Sequence, residues 1–292
     1  YDVDALCDGA DVHIAGIMEH VEAAGVHSGD STAILPPVQL SETNRRRIIE
    51  YVTRIALRLQ IVGLVNVQMA IQGEKIFVIE VNPRASRTVP FVAKATGIPV
   101  AAIATRLLLG EKLSSMDLKP RGAGLYFIKA PVFPWGRFPG SDVVLGPEMR
   151  STGEVMGIGW SFGEAYAKAL IAAGMTLPVE GGVFLSVIDV DKPLLPAIAG
   201  SLRHLGFKLY ATAGTHAYLT KNGVPVELVF KVREGRPDVV DHIKNGKIQL
   251  IINTPLGKKS VMDEQAMRLA GLRHGVPTIT TMEAAKAVVA AI

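Results

Sequence analysis

The 292-residue chain has a single cysteine, Cys7, only two tryptophans, and no apolar run that approaches the roughly 18 residues of a membrane-spanning helix. One cysteine excludes an internal disulfide framework and any thiolate zinc cluster. It points to a reducing, cytoplasmic compartment, with Cys7 a small buried hydrophobe. An excess of one charge is also lacking: 31 Lys+Arg stand against 27 Asp+Glu, and no basic run exceeds Arg45-Arg46-Arg47. That net +4 is too dilute for a nucleic-acid footprint, so neither nucleic acid nor membrane is expected as a partner. With 49 % hydrophobic and 20 % charged residues disorder is excluded, and the length suits two domains, each with its own core. The chain opens Tyr1-Asp2-Val3-Asp4 without an initiator Met, a basic leader or an apolar signal core. It alternates like a strand from the first residue, as a chain would that starts inside a domain.

The spacing predicts an extended segment over Val12–Glu22 and a polar, glycine-containing loop over Gly25–Ser31. Ser41 and Glu42 cap a helix whose apolar face is Ile48, Val52, Ile55, Ala56 and Leu59. A hairpin follows, Asn66–Ile71 against Lys75–Pro83. A three-residue loop, Gln72-Gly73-Glu74, pairs Ile71 with Lys75 and Gln68 with Val78, and places Gln68, Glu80 and Asn82 on one face. A two-residue loop would turn Gln68 to the opposite face from Glu80. Helical spacing recurs over Val89–Thr96 and Val100–Leu109. Ser114–Arg150 is a Pro- and Gly-rich covering segment with strand fragments such as Ala123–Lys129, and Phe162–Gly174 is helical.

A boundary falls near Met175–Gly182. Beyond it, strand-like runs at Val183–Val187, Lys208–Thr212, Val226–Val232, Leu250–Asn253 and Thr278–Thr280 alternate with helical spacing at Leu194–Leu205, Val239–Asn245, Glu264–His274 and Met282–Ile292. That rhythm predicts a parallel sheet covered on both sides.

Gln68, Glu80 and Asn82 are hard oxygen donors of the kind Mg²⁺ takes together with substrate phosphates. Glu80 lies within Phe77-Val78-Ile79-Glu80-Val81, and an ionised group in a buried apolar strand is costly unless paired or metal-bound; on a solvent face it would simply hydrate. Arg84 and Arg87 follow the strand three residues apart, a spacing able to clamp a phosphoryl group.

Gly25-Val26-His27-Ser28-Gly29-Asp30-Ser31, Asn66-Val67-Gln68, Glu80-Val81-Asn82-Pro83-Arg84-Ala85-Ser86-Arg87-Thr88 and Gly146-Pro147-Glu148-Met149-Arg150-Ser151-Thr152-Gly153-Glu154 resemble the second ATP-grasp half of the carbamoyl-phosphate synthase large-subunit family. The resemblance extends to the C-terminus. It implies an α/β chain: the C-terminal part of an ATP-grasp domain with an antiparallel sheet, residues 1–176, then a small doubly wound parallel-sheet methylglyoxal-synthase-like domain, residues 177–292. The implied activity is an ATP-dependent ligase that phosphorylates carbamate to carbamoyl phosphate for arginine and pyrimidine biosynthesis. Implied partners are a glutaminase small subunit and the N-terminal part of the same large subunit, in an oligomeric full enzyme.

Position by position, the resemblance assigns Gly25, Val26, His27 and Ser28 to the ATP adenosine, with Gln68 and Glu80 beside the phosphates. Gln68, Glu80 and Asn82 hold Mg²⁺ or Mn²⁺, and Arg84 and Arg87 serve phosphoryl transfer. His20 and Ser31 match positions near a monovalent cation, K⁺, although Ala23 replaces a polar ligand there. Glu22 and Asp30 match an ornithine pocket, but Ala130 stands near where another acid is found, which predicts weak or absent ornithine activation. In the C-terminal domain Lys192, Thr212, Thr215, Lys231 and Asn253 match positions that hold a nucleotide effector, and Pro255 replaces a hydroxyl. Gly235-Arg236-Pro237-Asp238 stands where a methylglyoxal synthase carries its catalytic carboxylate, which argues against lyase chemistry. His13, His204, His242 and His274 lack ligand spacing and read as surface or satisfied core residues. The alternative reading is that the isolated chain is a non-catalytic nucleotide-binding regulatory module, because an ATP-grasp site needs further subdomains.

Overall fold

The computed structural model describes residues 1–120, 124–138, 140–255 and 261–292. Seven strands form one antiparallel sheet: β1 (Asp2–Asp8), β2 (Val12–His20), β3 (Ala33–Leu35), β4 (Val62–Gln72), β5 (Lys75–Asn82), β6 (Tyr126–Val132) and β7 (Gly153–Gly159), in the order β5-β4-β1-β2-β3-β6-β7. Four helices accompany it, α1 (Glu42–Arg58), α2 (Val89–Thr96), α3 (Val100–Leu108) and α4 (Phe162–Ala172). The period of two along β1 divides the core. Val3, Ala5 and Cys7 pack on Ile48, Val52 and Ala56 of α1, whereas Leu6 faces Val92, Ile103 and Leu107 of α2 and α3.

The start of α1 is as expected, with the Ser41 hydroxyl accepting from the Asn44 amide. Its end is not: the helix stops at Arg58, so Leu59 leaves the apolar face and is 58 % exposed. The strand expected at Ala123–Lys129 is β6, and Ala123, like Pro139 in the same segment, lies outside the described residues. β3 is only three residues long and β7 is broken by three glycines, so neither announces itself as a strand.

The β4–β5 hairpin corrects the sequence reading in an instructive way. Gln72 pairs with Lys75, so the turn has two residues, the register that should have separated Gln68 from Glu80. A β-bulge between Gln68 and Met69 then shifts the ladder, Ile79 being the extra residue, and Gln68 comes directly opposite Glu80, with Asn66 opposite Asn82. Nor is Glu80 buried. β5 is the sheet edge, with Phe77, Val78 and Ile79 about half exposed, so the cost expected of a charge within an apolar strand is not incurred.

The second sheet is wholly parallel: β8 (Gly182–Ser186), β9 (Lys208–Ala211), β10 (Glu227–Leu228), β11 (Leu250–Asn253) and β12 (Thr278–Ile279), in the order β10-β9-β8-β11-β12. Helices α5 (Leu195–His204), α6 (Ala213–Lys221), α7 (Val239–Lys244), α8 (Val261–Arg273) and α9 (Met282–Ala291) alternate with its strands. Helix α6 was not expected, since only Thr215 and Leu219 of it are buried. Val183 and Leu185 of β8 face α5 and α9, and Phe184 faces α7 and α8. The first of these clusters continues into α4 through Ala165, Tyr166, Ala169 and Leu170, so one core spans both sheets. Among the described residues no single helix is long and apolar enough to cross a membrane.

Gly163 of α4 lies where an added Cβ would sit 1.9 Å from the Ala290 carbonyl oxygen of α9, while Gly200 of α5 has open space around it. Gly163→Ala should therefore destabilise the chain by about 1–3 kcal/mol through overpacking. Gly200→Ala should be neutral or stabilise by up to about 1 kcal/mol through helix propensity. Urea midpoints of the two variants check this.

Candidate functional site

The hairpin face, the start of β1, the turn at 27–29 and the loop after β5 enclose a cleft of about 270 Å³. Its chemistry is set by Gln68, Glu80, Asn82, Arg84 and Arg87, with His27, Ser28 and Met149 opposite. The Gln68 amide nitrogen donates to the Ser28 hydroxyl at 2.9 Å, which ties the hairpin to the loop. The Asn82 amide donates to one Glu80 carboxylate oxygen at 2.8 Å, and an Arg84 guanidinium nitrogen stands 3.5 Å from the Asn82 side-chain oxygen. Of the four loop residues assigned to the nucleotide, His27 and Ser28 line the cleft, whereas Gly25, with φ +111°, is exposed and Val26 half-buried to one side. The His27 ring accepts from the Gly29 amide, and its own amide donates to Gly146 O, so the turn is fixed from both sides.

Beneath the cleft lies a polar cluster that the sequence did not reveal. The buried Asn66 amide donates to both Asp2 and Asp4, and Asp4 also accepts from the Ser86 and Thr88 hydroxyls. Burial drives both aspartates above the ordinary carboxylate range, although Asp4 is restrained by its hydrogen bonds. Ser86 and Thr88 bracket Arg87, so Asp4 anchors the loop that carries both candidate arginines. Lys129, 1 % exposed, donates to the Ser28 carbonyl at 3.2 Å, and its Nζ is 4.0 Å from Glu154. Burial lowers its pKa against the pull of Glu154, Glu22, Asp2 and Asp30.

His20 is half-buried 3.8 Å from Asp2, with its Nε2 enclosed and otherwise unpartnered among the described residues, and desolvation lowers its pKa to about 3; Ser31 instead donates to the His27 carbonyl. Glu22 accepts from the amide and hydroxyl of Thr32 and lines a separate pocket of about 430 Å³ between the two sheets, together with Ala130, Tyr166 and Thr280. Asp30 does not line that pocket. Its carboxylate accepts from the Arg150 and Ser151 amides.

In the second sheet β8 and β11 are neighbours whose connections leave in opposite directions, which places a topological switch point at their carboxyl ends. Asn253 ends β11 there, fully buried, and its amide donates to Ser186 O. Thr212 and Thr215 meet at the start of α6, Thr215 accepting from the Val187 amide. Lys192 is held by the exposed Asp189 at 2.6 Å. Lys231 lies further along, after β10, and its backbone amide donates to Glu234. Arg236 pairs with Asp241, and Asp238 caps α7, so the stretch matched to a lyase site is occupied with holding a helix. His242, expected to be surface or satisfied, has a buried Nδ1 with no hydrogen-bond partner among the described residues, its ring tilted 38° against Tyr210.

An ATP-grasp lobe joined to an MGS-like domain is the class that this fold and cleft define. Residues 1–116 match the family described as carbamoyl-phosphate synthase L chain, ATP binding domain, and residues 195–280 match the MGS-like domain family. The carbamoyl phosphate synthase large chain of Acidobacterium capsulatum is 56 % identical over 293 residues, covering 98 % of this chain and 27 % of that protein. That of Archaeoglobus fulgidus is 51 % identical, covering 100 % of this chain and 27 % of its own length. The Aquifex aeolicus protein named carbamoyl phosphate synthase large chain, C-terminal section, is 47 % identical over 308 residues, covering 100 % of this chain and 57 % of its own. The chain belongs to the carbamoyl-phosphate synthase large-chain family and spans about a quarter of the length of the full-length relatives.

Burial raises the Glu22 pKa to about 7. A carboxyl raised in the folded state stabilises fully below its unfolded value near 4.5 and loses that contribution as pH rises through 7. Glu22→Gln should thus gain on the order of 1–3 kcal/mol over the parent at pH 8 and little at pH 4.5, read from urea unfolding at the two pH values.

Proposed function

We propose that this chain supplies the carbamate-phosphorylating site and the nucleotide-responsive domain of a carbamoyl-phosphate synthase. The carrying observation is the convergence of Gln68, Glu80, Asn82, Arg84 and Arg87 in one cleft against His27 and Ser28. In the proposed reaction a carbamate oxygen attacks the γ-phosphorus of ATP, the bond to the β,γ-bridging oxygen breaks, and carbamoyl phosphate and ADP leave.

The donor set fits a divalent cation. Gln68 uses its amide nitrogen on Ser28, and Asn82 uses its nitrogen on Glu80, so the Gln68 oxygen, the second Glu80 oxygen and the Asn82 oxygen, which Arg84 reaches only at 3.5 Å, are the atoms that could face a hard ion. Mg²⁺ or Mn²⁺ held there supplies neutralisation of phosphate charge. The exposed guanidiniums of Arg84 and Arg87 orient the transferred phosphoryl group and offset the charge on its equatorial oxygens. Asp4, through Ser86 and Thr88, holds their loop in place. His27 and Ser28 position the nucleotide, and the Lys129 ammonium behind Ser28 fixes that turn.

The second domain is proposed to bind a nucleotide by its phosphate and sugar. Lys192, Thr212, Thr215 and Asn253 lie at the carboxyl ends of parallel strands, where α6 opens without a side-chain cap from Thr212, and Lys231 adds charge from the segment after β10. The full enzyme would act in the cytoplasm, in arginine and pyrimidine biosynthesis, with ammonia from a glutaminase subunit. K⁺ near His20 and Ser31 belongs to the same proposal.

In the full-length large chain, Glu80→Gln should lower ATP formation from carbamoyl phosphate and ADP about 100-fold or more; a parental rate would overturn the metal assignment. Lys192→Ala should weaken nucleoside monophosphate binding about tenfold by calorimetry, the loss of one charge-assisted contact.

A further inference from the structure

The candidate effector residue Asn253 does not stand alone. Its side-chain oxygen accepts from an Arg268 Nη at 2.7 Å. Arg268, on α8, is 2 % exposed, and its other two guanidinium nitrogens grip both carboxylate oxygens of Asp142 at 2.7 and 2.6 Å. Glu264, one turn back on α8, stands 3.4 Å from Arg268. Asp142 belongs to the covering segment of the first lobe, 126 positions away in sequence. A buried guanidinium shared between a carboxylate and an amide oxygen is costly to leave half-paired, so a change at one partner is felt by the other.

Beyond Asp142 the contacts continue without a gap. The Asp142 carbonyl accepts from the Arg150 guanidinium at 2.8 Å. The Arg150 and Ser151 amides donate to the Asp30 carboxylate at 2.7 and 2.9 Å, and the Ser151 hydroxyl donates to Gly29 O at 3.1 Å. Asp30 closes the short turn Ser28–Asp30, and Ser28 accepts from Gln68 in the cleft. Each step joins groups at hydrogen-bond distance, and Asn253, Arg268, Ser151 and Asp30 are buried away from bulk solvent.

We infer that Arg268 and Asp142 are positioning residues that couple a ligand at Asn253 to the 27–31 turn of the first lobe. A sugar hydroxyl that engages the Asn253 side-chain oxygen competes with Arg268 for it. Arg268 and Asp142 then reset together, and Arg150 carries the change to Asp30 and the turn that lines the cleft. The inference rests on reading the C-terminal pocket as a nucleotide site.

The test is hydrogen exchange on this chain with purine and pyrimidine ribonucleoside monophosphates, alongside calorimetric titration with the same compounds. In the parent, exchange of the Gly29–Ser31 amides should change at least about fivefold on saturation, the scale of an ordinary coupling between sites. In Asp142→Asn and in Arg268→Lys the same nucleotide should still bind, and the change at Gly29–Ser31 should fall below about twofold. Binding to the parent without a response at Gly29–Ser31 would overturn the coupling with no variant needed, as would an undiminished response in the two variants. If no nucleotide binds the parent, the effector reading falls and the coupling with it.

Discussion

The approach of α4 to α9 is the constraint on which the rest depends. Three glycines make it achievable. At Gly157 and Gly159 of β7 an added Cβ would meet the α4 backbone at 2.1 and 2.7 Å, and at Gly163 it would meet the α9 carbonyl at 1.9 Å. Sheet, helix and helix therefore reach backbone contact at these three glycines, with apolar side chains packed around them. The apolar residues of α4 serve both sheets, so the two lobes are seated against one another by a common core. A contact as specific as Arg268 on Asp142 requires that seating, because a guanidinium and a carboxylate meet bidentately only within a narrow geometry.

The regular parts of the fold were legible for a physical reason. Strands of a doubly covered parallel sheet are continuous apolar runs, and Leu250–Asn253 stands out as one; amphipathic helices such as α1 and α2 carry their period openly. The candidate cation residues were found by a route that was half wrong. The two-residue turn alone would have separated Gln68 from Glu80, and the bulge at Ile79, which no periodicity announces, restores their common face. Arg268 had a faint signal, a charge with Glu264 at i,i+4 on a helix face otherwise buried, but nothing in the spacing could name Asp142 as its partner.

What the sequence hid most completely is the polar foundation of the cleft. Asp2 and Asp4 look like the solvent face of an alternating strand. β1 lies in the middle of the sheet, however, and its neighbour β4 brings Asn66 across from Asp4. Asp4 is satisfied by Asn66, Ser86 and Thr88, which is the condition for keeping such a group in a core. Its consequence is positional. A loop bearing two exposed guanidiniums would ordinarily wander, and the bonds from Asp4 to residues 82 and 84 positions away hold its base.

The two candidate sites differ in how they handle charge, and the difference follows from topology. In the antiparallel lobe the functional face is an edge hairpin, so Glu80, Arg84 and Arg87 remain hydrated and are free to take up ligand charge. In the parallel lobe the ligand must approach the carboxyl ends of buried strands, so Asn253, Thr212 and Thr215 are already committed to one another's surroundings before anything binds. A ligand at the first site meets ready donors. On the proposed reading a ligand at the second displaces existing bonds, Asp189 from Lys192 and Arg268 from Asn253, and that displacement would give a binding event there a means of being felt elsewhere.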